Sequence, residues 1–146
     1  LTRLQIVNGD KFVIGQFVAS IPPFEGRGWG EFAAIGYVWD GQLIGGSIFH
    51  NWDPSAGVIE ISTGTTDPRW LCRKSILAMF GFPFNQLGCQ MVVLRVAESN
   101  EHMRDIAKRF GFDEHVIPRL WGRNEAGYIY TLTVEQWRAR GFERLN

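Results

Sequence analysis

Glu60 and His50 are the residues of this chain best suited to move a proton. Glu60 and Ser62 lie in the run Val58-Ile59-Glu60-Ile61-Ser62, where strand alternation sets Val58, Glu60 and Ser62 on one face. A carboxylate there could take a proton from a substrate through water; a strand Glu on a solvated face, or in an ion pair, is the plain alternative. His50 opens His50-Asn51-Trp52-Asp53 at the end of the preceding strand. An unperturbed imidazole titrates near pH 6.5, so His50 is a second base or an orienting partner for Glu60, or else an ordinary turn histidine. The three histidines have no paired spacing, and no metal is expected.

A second group of residues suits phosphate. Asp67-Pro68-Arg69-Trp70-Leu71-Cys72-Arg73-Lys74-Ser75 brings Arg69, Arg73 and Lys74 to the expected start of a helix. A helix start offers unpaired N–H groups and a positive dipole end, and Arg and Lys suit phosphate oxygens. Cys72 at such a start would have a lowered thiol pKa, but no Cys–His pattern supports it as a nucleophile. Trp29, Trp39, Trp52, Trp70 and Trp121 could line an acceptor pocket or serve as core anchors. Arg119 and Arg123 flank Trp121 and could meet an acidic acceptor; a solvated hairpin edge explains them equally well.

The elements that must position these residues follow from patterning. A strand is expected over 4–7 and a helix over 10–20, with Asp10 as its cap and Phe12, Val13, Phe17 and Val18 on its buried face. Pro22-Pro23 stops it, and the glycine-containing stretch 24–31 reads as a flexible loop, a place for substrate entry or a plain connection. Strands over 33–39 and 42–51 join at Asp40-Gly41, a hairpin signal. After a turn at 52–56, a third strand runs over 57–63. Pro68 opens a helix to Gly81, Pro83 ends or kinks it, and Gly88 turns the chain into a strand over 90–97. That strand is apolar on both faces, so it is expected to be central. Ser99 or Asn100 caps a helix to Phe110 with Met103, Ile106, Ala107 and Phe110 inward; Gly111 stops it. Strands over 112–120 and 128–133 and a short helix over 135–140 close the chain. The order implies an α/β fold: a mixed, largely antiparallel sheet flanked by helices, with one parallel crossover. No repeat or second domain shows, so a single domain over 1–146 is expected.

In this order, Glu60, Arg69, Phe84, Leu87-Gly88, Asn100, Gly111-Phe112, Arg119 and Glu135-Gln136-Trp137 form an ordered set. The set resembles the GNAT N-acetyltransferase superfamily, nearest the ribosomal-protein N-terminal acetyltransferases and their phage and bacterial relatives. The resemblance implies acetyl-CoA as cofactor and acyl transfer to an amine by direct attack in a ternary complex. It implies Glu60 as general base, helped by His50, with Ser62 or water protonating the leaving thiolate. Backbone groups of Ile61, Ser62 and Thr63 would meet the pantetheine arm, and Asn100 would contact coenzyme A, although helix capping alone also explains an Asn there. The turn Arg69, Trp70, Leu71, Cys72, Arg73, Lys74 and Ser75 would hold the pyrophosphate. Here the chain departs from the family. Counted back from Phe84 and Leu87-Gly88, Asp67, Trp70 and Cys72 fill the places of the motif's leading Arg or Gln and its two small residues. A shift of three puts Arg69 first, with Cys72 and Lys74 at the glycine positions. Charge then replaces glycine, or bulky residues close the site. The helix after Asn100 also lacks the Tyr that serves many members as acid.

Composition sets outer limits. The 146 residues, 45% hydrophobic and 14% aromatic, suffice for one sizeable core. Lys+Arg and Asp+Glu both number 15; zero net charge speaks against a nucleic-acid partner while leaving a local basic patch open. Cys72 and Cys89 form no disulfide framework. With no leader pattern and no apolar run of about 18 residues, a cytoplasmic chain without membrane contact is expected. The acceptor would be a small-molecule amine or a protein N-terminus, and exposed aromatics leave room for a homodimer. A phage-type enzyme modifying nucleic-acid bases, or a non-catalytic module with the same fold, are the alternatives.

Overall fold

The computed structural model describes residues 3–141. The chain folds around one seven-stranded sheet. Strand β1 (Leu4–Val7) precedes helix α1 (Lys11–Ala19), followed by β2 (Phe32–Trp39), β3 (Gln42–Asp53) and β4 (Val58–Thr65). A 3-10 turn (Pro68–Trp70) leads to α2 (Arg73–Gly81), a π turn (Phe82–Gln86) and β5 (Met91–Ala97). Helix α3 (Glu101–Phe110), β6 (Asp113–Gly122), β7 (Glu125–Thr133) and α4 (Val134–Ala139) complete it. The spatial order is β1-β2-β3-β4-β5-β7-β6. All neighbours are antiparallel except β4 and β5, which the α2 crossover joins in parallel. This is the mixed sheet expected from the element order, with β5 inside it.

Local signals act as their chemistry requires. Asp10 accepts from the N–H groups of Phe12 and Val13, and Asn100 from that of Met103, so both cap their helices. Gly111 ends α3 in the left-handed region, where glycine carries no Cβ penalty. Thr133 and Gln136 cap α4 reciprocally, a capping box.

Two expectations are corrected. First, α1 buries Ile14, Gly15 and Val18, while Phe12 and Val13 are 69% and 54% exposed. The sheet decides this: Gly36, Gly46 and Gly64 leave room on one face, and Ile14 and Val18 fill it. A Cβ on Gly46 would come within 2.6 Å of Ile14 Cγ2. Gly46→Ala is therefore expected to destabilise the fold by about 1–3 kcal/mol through overpacking, read as a lower urea midpoint; an unchanged midpoint would refute this account of the α1 docking.

Second, Pro68 opens only a 3-10 turn. Leu71 and Cys72 are extended, and α2 begins at Arg73. The Trp70 indole, 1% exposed and 5.3 Å from the Tyr37 ring, anchors this break in the core. The stretch 24–31 is a loop, as expected, and it is tied to the fold at two points. Phe24 is buried, and Trp29 Nε1 donates to the Gly15 carbonyl at 3.0 Å.

Helices α2, α3 and α4 cover the face opposite α1. Their Phe80, Phe110 and Trp137 meet Phe84 and Phe112 in one aromatic cluster. Pro83 cannot supply a helical N–H, and the chain bridges it with a π turn closed by Leu87 N–H on the Phe82 carbonyl.

Candidate active site

Strands β4 and β5 part. Their register runs Val58↔Met91, Ile59↔Val92, Glu60↔Val93 and ends there. On the other side β4 stays paired with β3 as far as Thr65. Thr66 N–H bonds the Ile44 carbonyl, and Gly57 offers its carbonyl to Gln90 N–H, each at 2.8 Å. Antiparallel alternation between these points turns the backbone groups of Glu60, Ser62 and Gly64 to β3, and those of Ile61 and Thr63 to the β5 side. Past Glu60, that side is a cleft. Ile61, Ser62 and Thr63 form one bank, Leu94, Arg95, Val96 and Ala97 the other, and Asn100 and Met103 lie at the α3 end. The cavity between the banks is narrow, about 40 Å³.

Beside the cleft, on the α1 face, stand His50, Glu60 and Ser62. Register places His50 opposite Glu60. Asn51, in the left-handed region at φ 53, which Asn tolerates better than most residues, swings its amide back. Its Nδ2 donates to Glu60 Oε1 at 2.9 Å and lies 3.4 Å from His50 Nδ1. Nδ1 is thus the acceptor, the proton sits on Nε2, and Nε2–H donates to Ser62 Oγ at 2.9 Å. The Ser62 hydroxyl proton is left to donate elsewhere. Glu60 Oε2 is closed from solvent and makes no hydrogen bond among the described residues; His50 Nε2 lies 3.6 Å away and Arg27 Nη2 3.8 Å. Trp29 packs on the His50 ring with centroids 5.1 Å apart, and the Arg27 guanidinium lies over Trp29.

Burial pushes the His50 pKa below its ordinary 6.5, with Glu60 opposing and Arg27 adding to the fall. The imidazole is therefore neutral at pH 7. Because the unfolded chain takes up a proton near 6.5 and the folded chain does not, stability is full above that value. It falls as pH drops through the window from 6.5 to the lower folded pKa. Urea unfolding between pH 7.5 and 5.5 is expected to show this loss, and His50→Gln to remove it; an equal slope in both proteins would contradict it. Carboxylates act lower: side-chain and backbone hydrogen bonds involving Arg69 hold Asp67 down to about 2.

The phosphate-suited turn is only partly assembled. Arg69 binds Asp67 through Nε and Nη2 and lies 4.5 Å over the Trp39 ring, so it does not reach the cleft. Lys74 Nζ donates to the Leu4 carbonyl at 2.9 Å. Ser75 Oγ accepts from Cys72 N–H and donates to the Cys72 carbonyl. Leu71 lines the cleft, and Trp70 borders it from the core. Arg73 is exposed at the first residue of α2, where the first N–H groups have no helical partner. Asn100 both caps α3 and lines the cleft. Of the other tryptophans, Trp121 lines the cleft, and Trp52 is 40% exposed. Arg27, Asn51 and Arg95 are the site residues that sequence reasoning missed. Asn51 could have been found from its place beside His50 at a strand end; Arg27 in a glycine-containing loop carries no local signal.

No protein-family model matches this chain, and no curated protein matches it in sequence. Solved structures do match. The N152L mutant of spermidine N-acetyltransferase SpeG from Vibrio cholerae superposes with a TM-score of 0.76 over 95% of this chain and 98% of its own, at 13% identity. A GCN5-related N-acetyltransferase from Brucella melitensis gives 0.71 over 97% and 81%, at 16% identity. The chain has the fold of the GCN5-related, or GNAT, acetyltransferases.

Proposed function

We propose that this GNAT-fold chain is an acetyl-CoA-dependent N-acyltransferase acting on a primary amine in a ternary complex. The observation that carries this is the parting of β4 and β5 beside Glu60. A gap between strands leaves the backbone N–H and C=O of Ile61 and Thr63 unpaired by β5, and an extended amide-bearing arm can pair with them as a strand would. The Trp70 indole is sunk against Tyr37 and does not fill the start of α2, which favours retained pyrophosphate binding by the α2 N–H groups and Arg73. Acetyl-CoA held there supplies an activated acetyl group.

The residues beside the gap handle the protons. The Glu60 carboxylate, whose Oε2 has no hydrogen-bond donor among the described residues, takes the proton of the incoming amine through water. Ser62 Oγ, oriented by the His50 Nε2–H bond, gives its proton to the departing thiolate and is reprotonated through water by the proton that Glu60 took up. The net result is one proton moved from nitrogen to sulfur. A backbone N–H of the β4 bank can polarise the acyl oxygen.

Titration with acetyl-CoA, read by calorimetry and melting shift, tests this. Saturable binding that raises the melting temperature is expected, and no binding up to about millimolar, about 4 kcal/mol, would sink it. Arg73→Ala is expected to weaken binding roughly fivefold, about 1 kcal/mol for an exposed charge, whereas Arg69→Ala leaves it unchanged because Asp67 and Trp39 already hold that side chain. The reverse pattern would mean that the pyrophosphate lies elsewhere. Spermidine, the substrate named for the Vibrio cholerae enzyme, belongs in the first amine screen, together with peptide N-termini.

A further inference from the structure

Arg95 is a cation with no anion beside it among the described residues. It sits on β5 two residues past the last β4–β5 pair, Glu60↔Val93. Alternation puts Val93 and Arg95 on the same sheet face as Glu60 and Ser62. Ser62 and Arg95 are therefore the facing residues on the two banks of the cleft where it opens. Among the described residues that line the cleft, Arg95 is the one charged side chain. Its Nη2 donates to the Leu120 carbonyl at 3.2 Å, and its guanidinium lies 5.3 Å over the Trp121 ring. Nε is buried without a hydrogen-bond partner. No described carboxylate forms an ion pair with it. A guanidinium set in a largely apolar cleft with an unmet donor is unfavourable until an anion arrives, and its planar fork fits a carboxylate.

We propose that Arg95 receives the carboxylate of the acceptor, so that the substrate is a free amino acid rather than a simple amine or a polyamine, an assignment that rests on the acyltransferase reading above. Glu60 and Ser62 on the β4 bank attend the reacting amine, while Arg95 on the β5 bank holds the acid group across the cleft. Pro23, Phe24 and Trp121, which line the same cleft, suit an apolar side chain such as that of leucine or phenylalanine. A polyamine would bring further positive charge towards Arg95 and Arg27, which disfavours it.

The test compares amino acids with their decarboxylated twins on the wild-type chain saturated with coenzyme A. Phenylalanine is set against 2-phenylethylamine, and leucine against 3-methylbutylamine, by calorimetry and melting shift. The amino acid is expected to bind at least about tenfold more tightly, the low end for a hydrogen-bonded charge. Arg95→Met is expected to shrink that ratio about 10–100-fold, and Arg95→Lys to keep part of it. Since Arg95→Met is a change on an inner strand, its fold is checked by circular dichroism. If it does not fold, the wild-type ratio and Arg95→Lys decide the matter. Equal affinity for the twins, tighter binding of spermidine, or an unchanged ratio in a folded variant overturns the assignment. Should acetyl-CoA itself fail to stabilise the protein, the acyltransferase reading falls and this one with it. Binding of acetyl-CoA without preference for amino acids removes this one alone.

Discussion

Replacing Glu60 by Gln is expected to lower kcat/KM about 10²–10⁴-fold, the range for loss of a positioned general base, while acetyl-CoA still binds. Glu60→Gln is close in shape, and its side-chain oxygen can keep accepting from Asn51 Nδ2, which now lies 2.9 Å from Oε1. What the variant loses is the ability of Oε2 to accept a proton. The readouts are acetyl-CoA consumption with whichever amine the wild-type chain acetylates, and the acetyl-CoA melting shift. A variant that binds acetyl-CoA normally but keeps more than about a tenth of the rate would remove Glu60 as base, since a tenfold change is only about 1.4 kcal/mol of barrier. A variant that loses acetyl-CoA binding would instead make Glu60 a structural prop for the cleft.

The grouping of His50, Glu60 and Ser62 was legible in the sequence, because all three stand on strands. Alternation alone put Glu60 and Ser62 on one face, and Asp40-Gly41 joined the strands whose continuation brings His50 opposite Glu60. The sheet type followed from the element order, since a long helix between two strands demands a parallel crossover. The misreadings share one cause. The apolar residues of α1 lie all around the helix, so its buried face is chosen by the glycines of β2, β3 and β4, which align only once the strands are paired. Asp67-Pro68 looks like the start of a long helix, but the Trp70 contact with Tyr37 reaches across the fold and breaks it. Arg69 and Lys74 resemble phosphate ligands until Asp67 and the Leu4 carbonyl claim them. Arg95 was hidden inside a run that reads as apolar on both faces, and its meaning depends on β4 leaving β5, which strand patterning does not encode.

Trp137→Ala is expected to cost the fold about 3–5 kcal/mol, the usual range for deleting a buried Trp or Phe, and to weaken acetyl-CoA binding although the residue does not line the cleft. Trp137 is 1% exposed. Its ring centroid lies 5.0 Å from that of Phe80, 6.2 Å from Phe110 and 6.3 Å from Phe84. Phe80 belongs to α2 and Phe110 to α3, and both line the cleft; Phe84 stands in the π turn that leads on to β5. One indole therefore joins the two helices that bound the cleft to the α4 cap behind them. Removing it leaves a cavity that neighbouring rings can fill only by shifting, and a shift of Phe80 or Phe110 moves a cleft wall. Urea unfolding measures the first effect and calorimetry with acetyl-CoA at low temperature, where the variant stays folded, the second. Trp137→Phe should recover most of the stability and the binding together. A variant that loses stability but binds acetyl-CoA as the wild type does would show that the cleft walls are set by β4, β5 and their own contacts, not by the aromatic cluster behind them.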